Sequence, residues 1–142
     1  MGLAVTAVVA VIWYTGRKDS TQTLEAFLLV SGIDQSVEQS LLLDRNGLTD
    51  ISLSWSLDLQ PIHTREIISA SPFLRKADVS DFNWHIGQLK AKGLLGESFD
   101  PGGFTLYRGE IDLGQHTICP GSPCGIHLLS DGALAYLTIN SF

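Results

Sequence analysis

The sequence has few charged residues and lacks the motifs that usually form a catalytic site. Charged residues make up 17% of its 142 residues, and its mean hydropathy is +0.18; both values are unusual for a domain surrounded only by water. It contains no Gly-rich phosphate loop, no Gly-x-Ser-x-Gly or His-Glu-x-x-His sequence, and no paired carboxylates in an apolar setting. We therefore predict a non-enzymatic protein without a cofactor, with part of its surface covered by lipid or by neighbouring subunits.

Basic residues are also scarce. Nine Lys and Arg stand against fifteen Asp and Glu, which gives a formal net charge of −6. A field of this sign repels phosphate backbones and anionic lipid headgroups, so nucleic acid is not an expected partner. The length suits one domain, and the sequence has no internal repeat or low-complexity tract.

The longest apolar run lies at the N-terminus. Residues 2–15 carry no charge and are followed by the basic residues Arg17 and Lys18, an arrangement typical of a membrane anchor. As a helix the run is about 21 Å long, which is short for a hydrocarbon core of about 30 Å. A secretory signal peptide and a buried β-branched strand remain as alternatives. We predict a hydrophobic anchor helix over residues 1–18 and a single α+β domain over residues 19–142.

Helical spacing of apolar residues dominates the first half of this domain. It predicts one amphipathic helix over residues 19–44, interrupted near Gly32. The alternating residues 51–59 fit either a strand or a short helix. A short helix is predicted from Thr64, and a further helix over residues 78–92. These elements predict a compact helical middle.

The last forty residues have the short alternating runs and turn residues of antiparallel strands. We predict a C-terminal antiparallel β meander here. In the first predicted hairpin, residues 94–95 pair with residues 104–111 through a turn at residues 100–103. In the second, residues 125–129 pair with residues 133–139 through a turn at residues 130–132.

One segment resembles a known DNA-binding element. Residues 82–95, FNWHIGQLKAKGLL, are similar to the recognition helix of winged-helix regulators of the arsenic-repressor and MarR type. Leu89, Gly93 and Leu94 supply the Leu-x-x-x-Gly-Leu pattern of those families, and the resemblance extends over about residues 47–108. It implies a winged-helix-like middle of the domain and a DNA-binding function.

The charges near this segment oppose such a function. Asp78 and Asp81 fall in the first turn of the predicted helix, where they favour the helix dipole and repel a phosphate. If the resemblance holds for function, the candidate nucleic-acid contacts are Arg75, Lys76, Asn83, Lys90 and Lys92.

The plan of the whole chain resembles that of type IV pilins and pseudopilins. Those proteins have an apolar N-terminal segment that leads into an amphipathic helix, followed by a β meander with late cysteines. Residues 89–107 here are similar to the Gly-Leu, Asp-Pro-Gly and Tyr stretch of pseudopilin cores. This resemblance implies assembly through the N-terminal segment.

The two cysteines form a compact group with two histidines. Cys119 and Cys124 are separated by Pro-Gly-Ser-Pro, and His116 and His127 flank them. A disulfide is the simpler interpretation in an oxidising compartment, and two free thiols are the alternative in a reducing one. The four residues also match a zinc ligand set in kind, although four ligands within twelve residues leave the chain little room to surround a metal.

Together these features predict a non-enzymatic structural or interaction subunit. It would be anchored through residues 2–15 in a membrane or in a multi-subunit assembly, such as a filament, a pilus or a virion-like particle, with copies of itself as partners. The compartment is a membrane-associated or extracytoplasmic assembly, although the basic pair after the apolar run favours the cytoplasmic face. The alternative functions are a membrane-tethered winged-helix DNA-binding regulator and an acidic inhibitor of a toxic enzyme.

Overall fold

A computed structural model describes residues 20–32, 38–46, 51–59 and 61–141. The predicted anchor helix over residues 1–18 lies outside these ranges. In the described ranges, no helix combines the length and the hydropathy needed to cross a bilayer.

The domain is α+β and is built on one antiparallel sheet of six strands in the order β1-β2-β6-β5-β4-β3. The strands are β1 (Glu38–Asn46), β2 (Ile51–Asp58), β3 (Arg75–Lys76), β4 (Thr105–Ile111), β5 (Cys124–Ser130) and β6 (Leu134–Asn140). Strands β4, β5 and β6 are neighbours in both sequence and space and form a meander. β2 pairs with β6, so the first two strands join the sheet through its last strand.

In the described part of the chain, three helices cover the two faces of the sheet. They are α1 (residues 20–30), α2 (Pro61–Ala70) and α3 (Val79–Ala91). Phe27 of α1 and Ile67 of α2 pack in one apolar cluster with Leu128 of β5, whereas Leu89 of α3 packs in a second cluster with Leu129. Successive strand residues point to opposite faces, so α1 and α2 lie on one face and α3 on the other.

Local signals placed four elements correctly. The helix predicted over residues 78–92 is α3, which begins after Asp78; the Asp78 carboxylate accepts a hydrogen bond from the Asp81 N–H at 2.8 Å. The strand interpretation of residues 51–59 is confirmed by β2, and the hairpin through residues 130–132 is confirmed by β5 and β6.

The amphipathic helix predicted over residues 19–44 is wrong beyond residue 30. α1 ends in a turn in which Gly32 has a φ of 71°, a left-handed conformation that glycine adopts without strain. β1 then replaces the second half of the predicted helix and pairs with β2. Three consecutive leucines satisfy helical and strand patterns equally, and pairing with β2 decides between them.

The predicted compact helical middle is also wrong. β2 lies inside the sheet, and α2 begins at Pro61 rather than at Thr64. The hairpin predicted across residues 94–111 does not form: Leu95 is buried in the cluster beneath α3, and β4 pairs with β3 and β5. The middle of the chain therefore belongs to one sheet rather than to a separate helical unit.

Candidate functional site: a polar cleft and an exposed edge strand

Five neighbouring strands place one polar residue each in a single row on the α3 face. Each residue of the row is the register partner of the next. In order across the sheet they are Ser54 (β2), Thr138 (β6), His127 (β5), Arg108 (β4) and Arg75 (β3). The hydroxyls of Ser54 and Thr138 share a buried hydrogen bond of 3.0 Å. The sheet therefore has a polar strip on the face opposite α1 and α2.

α3 covers only part of this strip and leaves two connected cavities, which we call the polar cleft. One cavity of about 430 Å³ is lined by Ser52 and Asn140 at the ends of β2 and β6, and by Trp84 of α3. The other, of about 680 Å³, extends toward β3. Asp81 and Arg108 line both cavities, so the cleft continues on either side of this pair.

Asp81 and Arg108 join α3 to β4 through an ion pair. Nη1 of Arg108 donates to Oδ2 of Asp81 at 2.7 Å, and the two side chains are about half exposed (50% and 43%). An exposed pair of this kind contributes about 0.2–1 kcal/mol. Its main effect on the cleft is that the two charges cancel.

His85 and His127 stack where α3 meets β5. Their ring centroids are 4.8 Å apart and the ring planes differ by 9°. His85 is 5% exposed. Nε2 of His85 and Nδ1 of His127 have no hydrogen-bond partner among the described residues. The stack places two nitrogen atoms without partners beside the polar strip.

Burial keeps both imidazoles neutral. Desolvation, together with the smaller effects of the neighbouring His127 and Lys92, lowers the pKa of His85 to about 3. Burial also lowers the pKa of His127, as do Arg108 and Lys92, while Asp81 opposes them. Two neutral rings can stack closely, whereas two imidazolium ions would repel each other.

The second candidate region is the edge strand β1. Nine residues long, it pairs only with β2, so its outer backbone groups have no strand partner in the described sheet. Leu41 and Leu42 are 48% and 38% exposed, and the register shifts between Leu41 and Leu43. A free edge that carries exposed apolar residues is a template for pairing with another strand.

The cysteine and histidine set separates into different environments. Cys119 and Cys124 form a disulfide that is buried beside α1. His116 is exposed, and His127 lies in the polar cleft. Because both cysteines of the candidate zinc set are bonded to each other, neither is left as a thiolate to bind a metal. Within the described ranges, no three His, Cys, Asp or Glu residues are grouped so that they could hold a metal ion.

The candidate nucleic-acid residues lie on β3 and on or just after α3. Arg75 and Lys76 lie exposed on β3, in a cavity that they share with Asp78, Asp81 and Glu110. The other three candidates lie on or just after α3; they are Asn83, Lys90 and Lys92.

Comparisons with models of protein families, with characterised proteins and with solved structures find no match. The site therefore has to be interpreted from its own chemistry. Sequence reasoning missed the histidine pair, because His85 lies on α3 and His127 on β5 and only the fold brings the two rings together. The available signal was alternation, because His127 lies between Ile126 and Leu128 and must point away from the core they enter.

Proposed function

We propose that this protein is a non-enzymatic interaction subunit that assembles with copies of itself through the edge strand β1. Its N-terminal apolar segment, residues 2–15, adds a second attachment to a membrane or to neighbouring subunits. The exposed leucines on the free edge of β1 are the observation that carries this proposal. The compartment that we propose is a membrane-associated or extracytoplasmic assembly, in keeping with the Cys119–Cys124 disulfide.

The sequence of β1 suits antiparallel pairing with a second β1. A register that places Leu41 opposite Leu42 brings the exposed apolar residues of the two copies together across a two-fold axis. The two sheets would then form one continuous sheet of twelve strands, because each copy contributes six. A self-complementary edge favours a second copy over an unrelated partner.

The low proportion of charge supports assembly. Only 17% of the residues are charged, and the exposed large apolar residues include Leu29 and Val30 at the end of α1 in addition to the β1 leucines. Scattered apolar residues are normal on any surface. Apolar residues on an unpaired strand edge are a liability for a monomer and useful for a subunit.

Sedimentation velocity of the full-length chain tests the proposal. We expect the wild-type protein to associate in a concentration-dependent manner. The double variant Leu41→Lys/Leu42→Lys should associate at least tenfold more weakly, which corresponds to about 1.4 kcal/mol, because charges on the edge oppose strand pairing.

Val79→Lys is the matched control, since Val79 is 75% exposed on α3 and lies far along the chain from β1. It should associate like the wild type. A wild-type chain that is monomeric and soluble without detergent would contradict the proposal, as would a double variant that associates unchanged.

The DNA-binding alternative stays a prediction, as do the resemblances to winged-helix regulators and to pilins. The cavity residues Arg75 and Lys76 are balanced by neighbouring carboxylates, so no specific observation favours a nucleic-acid ligand. A gel-shift experiment at low salt, where phosphate contacts are strongest, tests this alternative directly.

A further inference from the structure

The cavity between α3 and the ends of β2 and β6 has the size of a small-molecule site. Its volume is about 430 Å³, and ligand cavities in proteins commonly measure about 300–1,000 Å³. Ile51 and Leu106 give it apolar walls, and the polar groups come from β2, β4, β5, β6 and α3. None of the described residues that line it belongs to β1, so this cavity is separate from the strand of the proposed assembly.

Two polar atoms at this cavity have no partner. Oγ of Ser52 and Nδ1 of His127 are buried and form no hydrogen bond with any described residue, although both residues line the cavity. A buried polar atom without a partner costs about 1–3 kcal/mol. A hydroxylated ligand carries hydrogen-bond donors and acceptors of the kind that both atoms lack.

Trp84 stands at the mouth of the cavity. Its side chain is 63% exposed, an unusual state for the largest aromatic residue, which more often supplies buried area. An exposed indole presents a flat apolar surface to whatever enters the cavity. The tryptophan therefore offers a stacking surface next to the unsatisfied polar atoms.

The charges of the cavity cancel. Among the described residues that line it, Asp81 and Arg108 alone are formally charged, and they neutralise each other at 2.7 Å. His127 is neutral because burial lowers its pKa. A site without net charge gains little from an anionic or cationic ligand, and a neutral ligand is therefore favoured.

The arrangement of polar groups distinguishes between neutral flat ligands. A nucleobase is recognised mainly along one edge, whereas the polar groups of this cavity are spread over four strands and one helix. A sugar ring has apolar C–H groups on one face and hydroxyls around its rim that both donate and accept hydrogen bonds. Planar groups such as the Asp81 carboxylate and the Arg108 guanidinium suit paired hydroxyls.

The geometry points to a carbohydrate-binding site in which a neutral sugar ring stacks on Trp84 and its hydroxyls bind Ser52, Asn140 and the Asp81–Arg108 pair. His127 accepts or donates one further hydrogen bond through Nδ1. The site binds the sugar and performs no chemistry on it.

Nuclear magnetic resonance of the indole N–H of Trp84 tests this site in the full-length chain. The probes are the methyl glycosides of glucose, galactose, mannose and N-acetylglucosamine at millimolar concentrations, with adenosine and inorganic phosphate as comparators. We expect a saturable shift with at least one glycoside and none with phosphate or adenosine. Trp84→Phe identifies the resonance and retains an aromatic ring.

Variants separate a real site from a nonspecific response. Ser52→Ala and Asn140→Ala, followed through the same indole, should each bind the responding glycoside at least tenfold more weakly, whereas Val79→Ala, outside the cavity, should bind it like the wild type. No saturable shift with any of the four glycosides would overturn the inference. It would also fail if Ser52→Ala and Asn140→Ala bound like the wild type, or if only adenosine or phosphate bound.

Discussion

The two faces of the sheet are made by the same strands but carry different side chains. On the face under α1 and α2, β2, β5 and β6 present leucines, isoleucines and Trp55, which are fully buried or nearly so. On the α3 face the same strands present Ser54, Thr138 and His127, and the helix covers only part of them. The alternation of strand side chains thus divides one sheet into an apolar side and a polar side.

We expect the apolar face to provide most of the stability and the polar face to provide recognition. Burial of apolar area is the main favourable term in folding, so the α1 and α2 face should contribute most of the free energy of unfolding. The α3 face contains the stacked histidines, each with a buried nitrogen that lacks a partner, and an exposed tryptophan, features that cost stability and are useful to a ligand. Four predictions test this division, beginning with the largest expected effect.

Truncation of one aromatic residue on each face compares them directly. Phe27→Ala, at a fully buried position in α1, should lower the free energy of unfolding by about 3–5 kcal/mol because it leaves a cavity. Trp84→Ala, at the exposed position on α3, should change it by less than about 0.5 kcal/mol. Urea denaturation measures both variants, and equal losses would contradict the division between the faces.

Acidification should weaken the attachment of α3. The pKa of His85 is lowered to about 3 in the folded protein, below the unfolded value near 6.5. The unfolded state therefore binds more protons, and stability that is complete above pH 6.5 is lost as the pH falls toward 3. The loss in the free energy of unfolding that is due to His85 should reach roughly 3 kcal/mol by pH 4.

Urea denaturation of the wild type and of His85→Phe between pH 7 and pH 4 measures this effect. The variant keeps an aromatic ring opposite His127 but cannot be protonated, so its stability should depend less steeply on pH. Parallel pH profiles for the two proteins would show that the buried imidazole does not control the response.

Removal of the disulfide should have an intermediate effect on the apolar side. Cys119 and Cys124 are five positions apart, and a loop this short gives an entropic stabilisation of about 2 kcal/mol. Cys119→Ala/Cys124→Ala should lose about this amount in urea denaturation, while His116→Ala in the same exposed loop should lose almost none. Intact mass with and without reductant checks the bond itself, and an unchanged mass would contradict it.

The smallest effect is expected in the polar strip. Ser54→Ala leaves the Thr138 hydroxyl without its buried partner and should cost about 1–2 kcal/mol. The double variant Ser54→Ala/Thr138→Val removes both polar groups and should cost less than the sum of the two single changes. Strict additivity in a double-mutant cycle would mean that the two hydroxyls do not interact in solution.

Sequence patterns predicted the elements whose signals are local. Asp78 and Gly93 bound α3 on either side, and Asp131-Gly132 marks the turn between β5 and β6. β1 could not be predicted in this way, because consecutive leucines fit a helix or a strand and the decision rests on distant pairing with β2. The pairing of β4 with β3 could not be predicted either, because these two strands are also far apart in the sequence.

The polar cleft was beyond local patterns for a related reason. Ser54, His127 and Arg108 are far apart in the sequence and become neighbours only through the register of three strand pairs. The prediction of a C-terminal meander contained part of this register but omitted β2. The disulfide was one of three open alternatives, because spacing restricts a cysteine pair without choosing its chemistry.

The pairing of β2 with β6 has a consequence for the order of events during synthesis. β2 leaves the ribosome long before β6, which ends at Asn140, so the hairpin of β1 and β2 must wait with an unpaired inner edge. During that interval Leu53, Trp55 and Leu57, which are buried in the finished fold, lack the strand that covers them. The nascent chain is therefore most exposed to aggregation just before its last strand emerges.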